Sequence, residues 1–230
     1  MAQYEFVMAM GTWNDVEIER EHLQGRPVSM RLASLATADE VAKETAHADG
    51  IIVTTNPLPR ELIARLGPKV RIIGRAGIGL DAIDLEAAKE RGIAVYHCPD
   101  YAIQEVATHA VALILALNRR IVQGDAIARH AWREWKQLAP LTPLHEQTVS
   151  VIGVGRIGRA VIDRLQPLCR EVVAFDPYVS QPPTGARLVG SLDDVLTQSD
   201  VITLHIPLSN GTRSMIGARE LARLKPGATI

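Results

Sequence analysis

The stretch Thr148-Val-Ser-Val-Ile-Gly-Val-Gly-Arg-Ile-Gly-Arg-Ala-Val-Ile162 decides the fold. A short β-branched run of the kind that forms a buried strand leads into glycines at Gly153, Gly155 and Gly158, and an amphipathic helical pattern follows. Each glycine has its own physical task. Gly153 permits the tight turn, Gly155 lets an anion approach the backbone with no Cβ in the way, and Gly158 allows close packing of helix on strand. The unpaired N–H groups at the helix start, with the positive end of the helix dipole, suit a pyrophosphate, and Arg156 and its neighbour Ile157 lie at that start.

Working outward, the next strand candidate, 171–175, ends in Asp176, eighteen positions beyond Gly158. That is close to the spacing of about 20 expected for a carboxylate that accepts the adenosine ribose hydroxyls. An acid there repels a 2′-phosphate, which favours NAD over NADP; the plainer reading is that Asp176-Pro177 is a strand-ending turn. A third strand, 201–206, follows a helical segment at 192–196 and ends in His205-Ile206-Pro207, at the edge where open α/β sheets bind ligands. His205 could serve as a general base, but a lone histidine at a strand end is more often a packing residue, and it is assigned no catalytic role. Residues 228–230 read as a further strand.

Toward the N-terminus the same alternation recurs. Strand candidates at 5–9, 29–35, 50–54, 70–75 and 93–96 are separated by helical patterns at 39–47, 60–66 and 85–91, the last closed by Gly92. The fold class is α/β, with two αβ lobes divided near residue 98. The helix expected at 103–123, apolar at Val106, Ala110, Leu113, Ile114 and Leu117, reads as a largely buried spine. The arm at 126–144 carries Trp132 and Trp135, either as a local cap or as an oligomer contact.

Composition narrows the function classes. The 230 residues are 47% hydrophobic and 22% charged, with 25 Lys+Arg against 26 Asp+Glu, a net charge of -1. Such a balance gives no field for drawing in nucleic acid or an acidic membrane surface. The longest apolar run, 110–117, is far short of the roughly 20 residues a spanning helix needs. The N-terminus has no basic opening or apolar run of a secretory signal. Cys98 and Cys169 lie far apart without metal-ligand spacing, so no disulfide framework or metal site is indicated, and a cytoplasmic setting fits best.

Taken together, Arg71-Ile-Ile-Gly-Arg-Ala-Gly-Ile-Gly-Leu-Asp-Ala-Ile-Asp, Arg91-Gly-Ile-Ala-Val, Gln104-Glu-Val-Ala-Thr-His-Ala-Val-Ala-Leu, the glycine fingerprint, Phe175-Asp-Pro-Tyr, Leu204-His-Ile-Pro-Leu and Leu224-Lys-Pro-Gly-Ala occur in one order. From about residue 50 onward the chain thereby resembles the D-isomer-specific 2-hydroxyacid dehydrogenases, a family that includes phosphoglycerate dehydrogenases, hydroxypyruvate reductases and C-terminal-binding-protein corepressors. The resemblance implies a flavodoxin-like substrate-binding lobe over 1–98 and a Rossmann-type NAD-binding lobe over 99–230 that includes the linking helix and the arm. It implies NAD-dependent reduction of a small 2-oxo acid to a D-2-hydroxy acid, and a homodimer. Backbone N–H groups of Ala76, Gly77 and Ile78 would hold the substrate carboxylate, with Ile78 also near the nicotinamide. Arg156 and Ile157 would meet the pyrophosphate, Asp176 the ribose, and His205, Ile206 and Pro207 the adenosine side; Thr108 and Thr212 match further cofactor positions. His97 departs from the pattern, which commonly has asparagine there; the substitution either alters the substrate side or is a tolerated change. The pattern's arginine, carboxylate and histidine of catalysis would lie beyond Ile230, so no catalytic residue is assigned. The expectation is a nucleotide lobe incomplete at its C-terminus, in a chain with little turnover. The alternative is an NADH-sensing corepressor-like binding protein without catalysis.

Overall fold

The structure is a computed structural model and describes residues 3–11, 15–130 and 132–230, with Trp132 described by its backbone alone. The chain separates into two compact units, Met1–Tyr101 and Ala102–Ile230.

The first unit runs β1 (Tyr4–Ala9), α1 (Glu17–His22), β2 (Val28–Ala33), α2 (Ala38–Glu44), β3 (Gly50–Val53), α3 (Arg60–Arg65), β4 (Ile72–Arg75), α4 (Leu85–Glu90) and β5 (Ala94–His97). Its sheet is parallel throughout, in the flavodoxin-like order β2-β1-β3-β4-β5. Val7, Val41, Ile51, Val53, Ile63, Val70 and Ile73 fill its core without solvent contact. Local chemistry sets the helix starts. Thr37 and Glu40 form a capping box at α2, and the Asp84 carboxylate accepts from Ala87 N–H at α4. Gly92 follows α4 with φ +66, as the glycine punctuation suggests. The helix α1 has no counterpart in the sequence pattern because none of its residues is buried, so it carries no apolar period.

The second unit runs α5 (Ile103–Asn118), α6 (Ile121–His130), 3-10 turns at Trp132–Leu138 and Leu144–Glu146, β6 (Thr148–Ile152), α7 (Arg156–Leu165), β7 (Glu171–Phe175), β8 (Arg187–Leu188), α8 (Leu192–Gln198), β9 (Val201–Leu204) and α9 (Ala218–Leu221). The sheet is parallel in the order β8-β7-β6-β9, the nucleotide-binding half of a doubly wound fold. Residues 228–230 contribute one bridge, Thr229 to Val201, rather than a strand.

The spine differs from the expectation in two ways. The helix stops at Asn118, where Arg120 takes φ +49, and a separate helix starts at Ile121. Its buried face is Ala107, Val111 and Ile114, small or β-branched side chains that let α5 lie closely on α7. Of the apolar residues picked out by sequence, Ile114 is buried and Ala110 half-buried, whereas Val106, Leu113 and Leu117 are 40%, 52% and 53% exposed.

Both sheets use one device to join the starts of two adjacent strands. Asp49, just before β3, accepts from Glu5 N–H and donates its own N–H to Glu5 O. Asp200, just before β9, does the same with Thr148. Burial pushes the Asp200 carboxyl up, but Thr148 N–H, the Lys225 ammonium 3.0 Å away and the charge of Arg170 outweigh it, leaving the group below its ordinary range.

Candidate functional site

In the second unit all five residues of β6 are buried. The strand delivers Gly153 into a turn at φ +93, where its N–H donates to Phe175 O at 2.8 Å. A β-carbon there would meet His205 O at 2.5 Å, and one on Gly158 would lie 1.9 Å from Gly153 O. Both glycines are therefore required by packing. Gly155 is different. It caps α7 with φ -71 and ψ -166, a backbone open to any residue, and a β-carbon on it would have nothing within 4 Å. Nothing in the folded chain explains this glycine; an anion drawn against the backbone does.

The donors for such an anion are present. Among the described residues, the N–H groups of Gly155, Arg156, Ile157 and Gly158 have no protein partner, as the first turn of a helix requires. Arg156 is exposed beside them and Ile157 half-buried. Asp176, at the end of β7, accepts from Val154 N–H at 2.9 Å with one oxygen and from Tyr178 N–H at 2.9 Å with the other. Each carboxylate oxygen keeps a second lone pair, so the group that holds the glycine turn in place can still accept from ribose hydroxyls. These residues fit a dinucleotide: open backbone donors for its phosphates and a fixed acceptor for its sugar.

Across the turn, His205 N–H donates to Ile152 O at 2.7 Å, and its Nε2 hydrogen-bonds with Thr203 Oγ1 at 3.0 Å. Its carbonyl packs on Gly153, and Ile206 lies against the same glycine. Burial lowers the His205 pKa and favours the neutral ring. Because the unfolded chain takes up the proton first as pH falls through about 6.5, folding loses stability below that value. We expect the thermal unfolding midpoint of His205→Asn to drop less than that of the parent between pH 7.5 and 5.5; an equal drop would show that the half-buried ring does not contribute.

Pro207 and Thr212 shape the loop that follows. Thr212 Oγ1 donates to Pro207 O and accepts from Ser209 N–H, so it closes a turn. Thr108 lies on the exposed side of α5 beside Gln104, Glu105 and Ala112, in a shallow depression. A cavity of about 370 Å³, bordered by Ile114, Asn118, Asp200 and Gly227, lies at the amino-terminal end of β9, opposite the glycine turn. Ligands of such sheets bind at the carboxyl ends, so it is not the cofactor position.

In the first unit, β4 ends in Arg75 and the chain enters the loop 76–79, beside an open cavity of about 270 Å³ lined by Met8, Ile52, Gly74, Ala76, His97 and Cys98. All four loop carbonyls are held. Arg75 Nη1 donates to Ala76 O and its Nε to Gly79 O. Cys98 N–H donates to Gly77 O at 3.1 Å, and His97 Nδ1 to Ile78 O at 2.8 Å. Two of the expected donors are spent internally: Ala76 N–H donates to Val53 O and Gly77 N–H to Arg75 O. Among the described residues, the loop N–H groups without a partner are those of Ile78 and Gly79. Sequence reading finds the loop but misses Arg75, Gly79 and the role of His97, because the clamp depends on one side chain folding back and on the neighbouring strand.

Comparison with known proteins places the chain in a family. The sequence model described as "D-isomer specific 2-hydroxyacid dehydrogenase, NAD binding domain" matches residues 111–230, half of the chain. D-3-phosphoglycerate dehydrogenase of Mycobacterium tuberculosis is 36% identical over 211 residues, 90% of this chain and 39% of that protein. Glycerate dehydrogenase of Methylorubrum extorquens is 34% identical over 199 residues, 84% of this chain and 61% of that protein. The chain thus spans about two fifths of the length of the phosphoglycerate dehydrogenases it matches. Among solved structures, D-lactate dehydrogenase from Aquifex aeolicus complexed with NAD and lactic acid superposes with a TM-score of 0.85 at 27% identity, over 96% of this chain and 66% of that one. With the glycine fingerprint, the parallel sheets and these matches in agreement, the chain belongs to the D-isomer-specific 2-hydroxyacid dehydrogenase family, with residues 111–230 in its NAD-binding domain.

Proposed function

We propose that the protein is an NAD-dependent oxidoreductase that interconverts a small 2-oxo acid and a D-2-hydroxy acid. The observation that carries this reading is Gly155, a glycine the fold does not need, set among four unpartnered N–H groups at the start of α7. When bound, the cofactor would supply a hydride as NADH for reduction of the 2-oxo acid and accept one as NAD+ in the reverse direction. The chain's own part is to hold its phosphates at 155–158, hold its ribose at Asp176 and present the Ile78 and Gly79 N–H groups to the substrate carboxylate. Thr108, Ile206, Pro207 and Thr212 are proposed as flanking cofactor positions. Among the described residues the one histidine within 4 Å of a carboxylate is His145, paired with Glu146 just before β6, and no acid–base dyad is assigned. The 230 residues assayed alone are therefore proposed to bind NADH but turn over little. The same observation suits an NADH-sensing, corepressor-like binder. A steady-state assay with NADH and glyoxylate, hydroxypyruvate or pyruvate tests the point, and robust NADH oxidation would contradict low turnover.

The NAD preference is proposed to rest on Asp176. Removing a charged acceptor forfeits about 1.5–3 kcal/mol per hydrogen bond, so Asp176→Ala is expected to weaken NADH binding about tenfold or more, whereas NADPH, relieved of the carboxylate's repulsion of its 2′-phosphate, should bind as well as before or more tightly. Fluorescence titration with both nucleotides checks this, and an unchanged NADH/NADPH ratio would remove Asp176 from the ribose site.

The partner is proposed to be a second copy of the chain, with no direct role for nucleic acid or membrane. Val106, Leu113 and Leu117 on α5, Ile121 and Val122 on α6, and Trp135 are 40–75% exposed, an apolar set that a second copy would cover. Sedimentation should give a dimer, and Leu117→Asp with Val122→Asp a monomer; a monomeric parent would contradict this. No helix among the described residues is long and apolar enough to cross a membrane. A cytoplasmic setting is proposed from the two free cysteines, Cys98 and Cys169.

A further inference from the structure

We propose that His97 is a positioning residue that aims the anion-binding donors of the loop 76–79, and that it does so as the Nδ1–H tautomer with Nε2 unprotonated in the neutral ring. The inference rests on the reading of Ile78 and Gly79 as carboxylate donors, but the positioning itself is argued from the peptide planes.

A carbonyl oxygen only accepts, so the 2.8 Å contact between His97 Nδ1 and Ile78 O requires the hydrogen on Nδ1. In a trans peptide the C=O and the following N–H point in opposite directions in one plane. Holding Ile78 O therefore fixes where Gly79 N–H points. Cys98 N–H, one residue along from His97, holds Gly77 O and fixes Ile78 N–H in the same way. The two N–H groups left unpartnered in the loop are those whose planes are held from the end of β5. The planes held by Arg75 behave differently. One carries Gly77 N–H, which turns back on Arg75 O, and the other ends the loop at Gly79 O.

The two tethers differ in what sequence can change. The Cys98 tether is a main-chain bond that every residue type except proline supplies. The His97 tether is a side-chain bond and is the adjustable one. It lies at the rim of the cavity lined by Ala76, His97 and Cys98, so it acts where a small acid would enter. Asparagine could replace it, because its Nδ2 sits the same number of bonds from the backbone as His Nδ1. Glutamine carries its amide one carbon further out, and alanine has no donor.

The test uses the full chain, labelled with ¹⁵N. Long-range ¹H–¹⁵N spectra should show the neutral His97 ring protonated at Nδ1, the reverse of the tautomer a free histidine side chain prefers; an Nε2–H ring would overturn the inference. Titration with glyoxylate should shift the Ile78 and Gly79 amides. The dissociation constant should rise about three- to tenfold in His97→Ala and in His97→Gln, and stay within about twofold of the parent in His97→Asn. Equal affinity in the alanine variant would also overturn it. If glyoxylate leaves the parent amides unmoved, the carboxylate reading fails on its own. The positioning role is then decided by ¹⁵N order parameters at Ile78 and Gly79, which should fall in His97→Ala and be retained in His97→Asn; values unchanged in the alanine variant refute it.

Discussion

Gly158→Ala is expected to be the most destabilising single methyl in the unit Ala102–Ile230. The added β-carbon would sit 1.9 Å from Gly153 O and 3.0 Å from Gly153 C, and both are backbone atoms that cannot swing aside. Relief requires α7 to lift from the turn, and α7 carries Val161, Ile162 and Leu165, each without solvent contact, into the core. Overpacking of this kind costs about 3 kcal/mol. For a unit of this size that lowers the unfolding midpoint by about 10 °C. Calorimetry of parent and variant measures it, and a midpoint within about 2 °C of the parent would mean that the helix does not approach the turn as described.

Gly155→Ala should do the opposite. The backbone angles suit alanine and the methyl would meet nothing in the protein, so stability should stay within about 0.5 kcal/mol of the parent. Binding should suffer instead, since the methyl would stand where a pyrophosphate must approach the α7 donors. Loss of one charge-assisted hydrogen bond corresponds to a Kd raised about 10- to 100-fold, read by NADH fluorescence. The pair of variants separates two meanings of glycine three positions apart. A stable Gly155→Ala that binds NADH like the parent would remove the pyrophosphate from this helix.

Much of this was legible in the residues. Buried strands announce themselves by β-branched runs such as Val149-Ser-Val-Ile152, and glycine spacing distinguishes a nucleotide turn from an ordinary one. Where partners come from distant segments, local pattern falls silent. The carbonyl clamp around 76–79 joins Arg75, His97 and Cys98 from two strands, and no periodicity encodes it. The paired devices at Asp49 and Asp200 join strand starts dozens of residues apart. The helix α1 shows no apolar period because none of its residues is buried, and α5 reads as core on a face that is exposed because hydrophobicity alone does not say what covers it. The break after Asn118 turns on one residue, Arg120, in the left-handed region, which arginine rarely announces.

The central claim is that the turn 153–158 with Asp176 is a working dinucleotide cradle, and equilibrium titration of the 230-residue chain with NADH tests it most directly. Saturable binding of one NADH per chain, weakened in both Gly155→Ala and Asp176→Ala while each variant remains folded, is the predicted result. A cooperatively folded chain that leaves NADH unbound, or that binds it equally well in all three forms, would contradict the account.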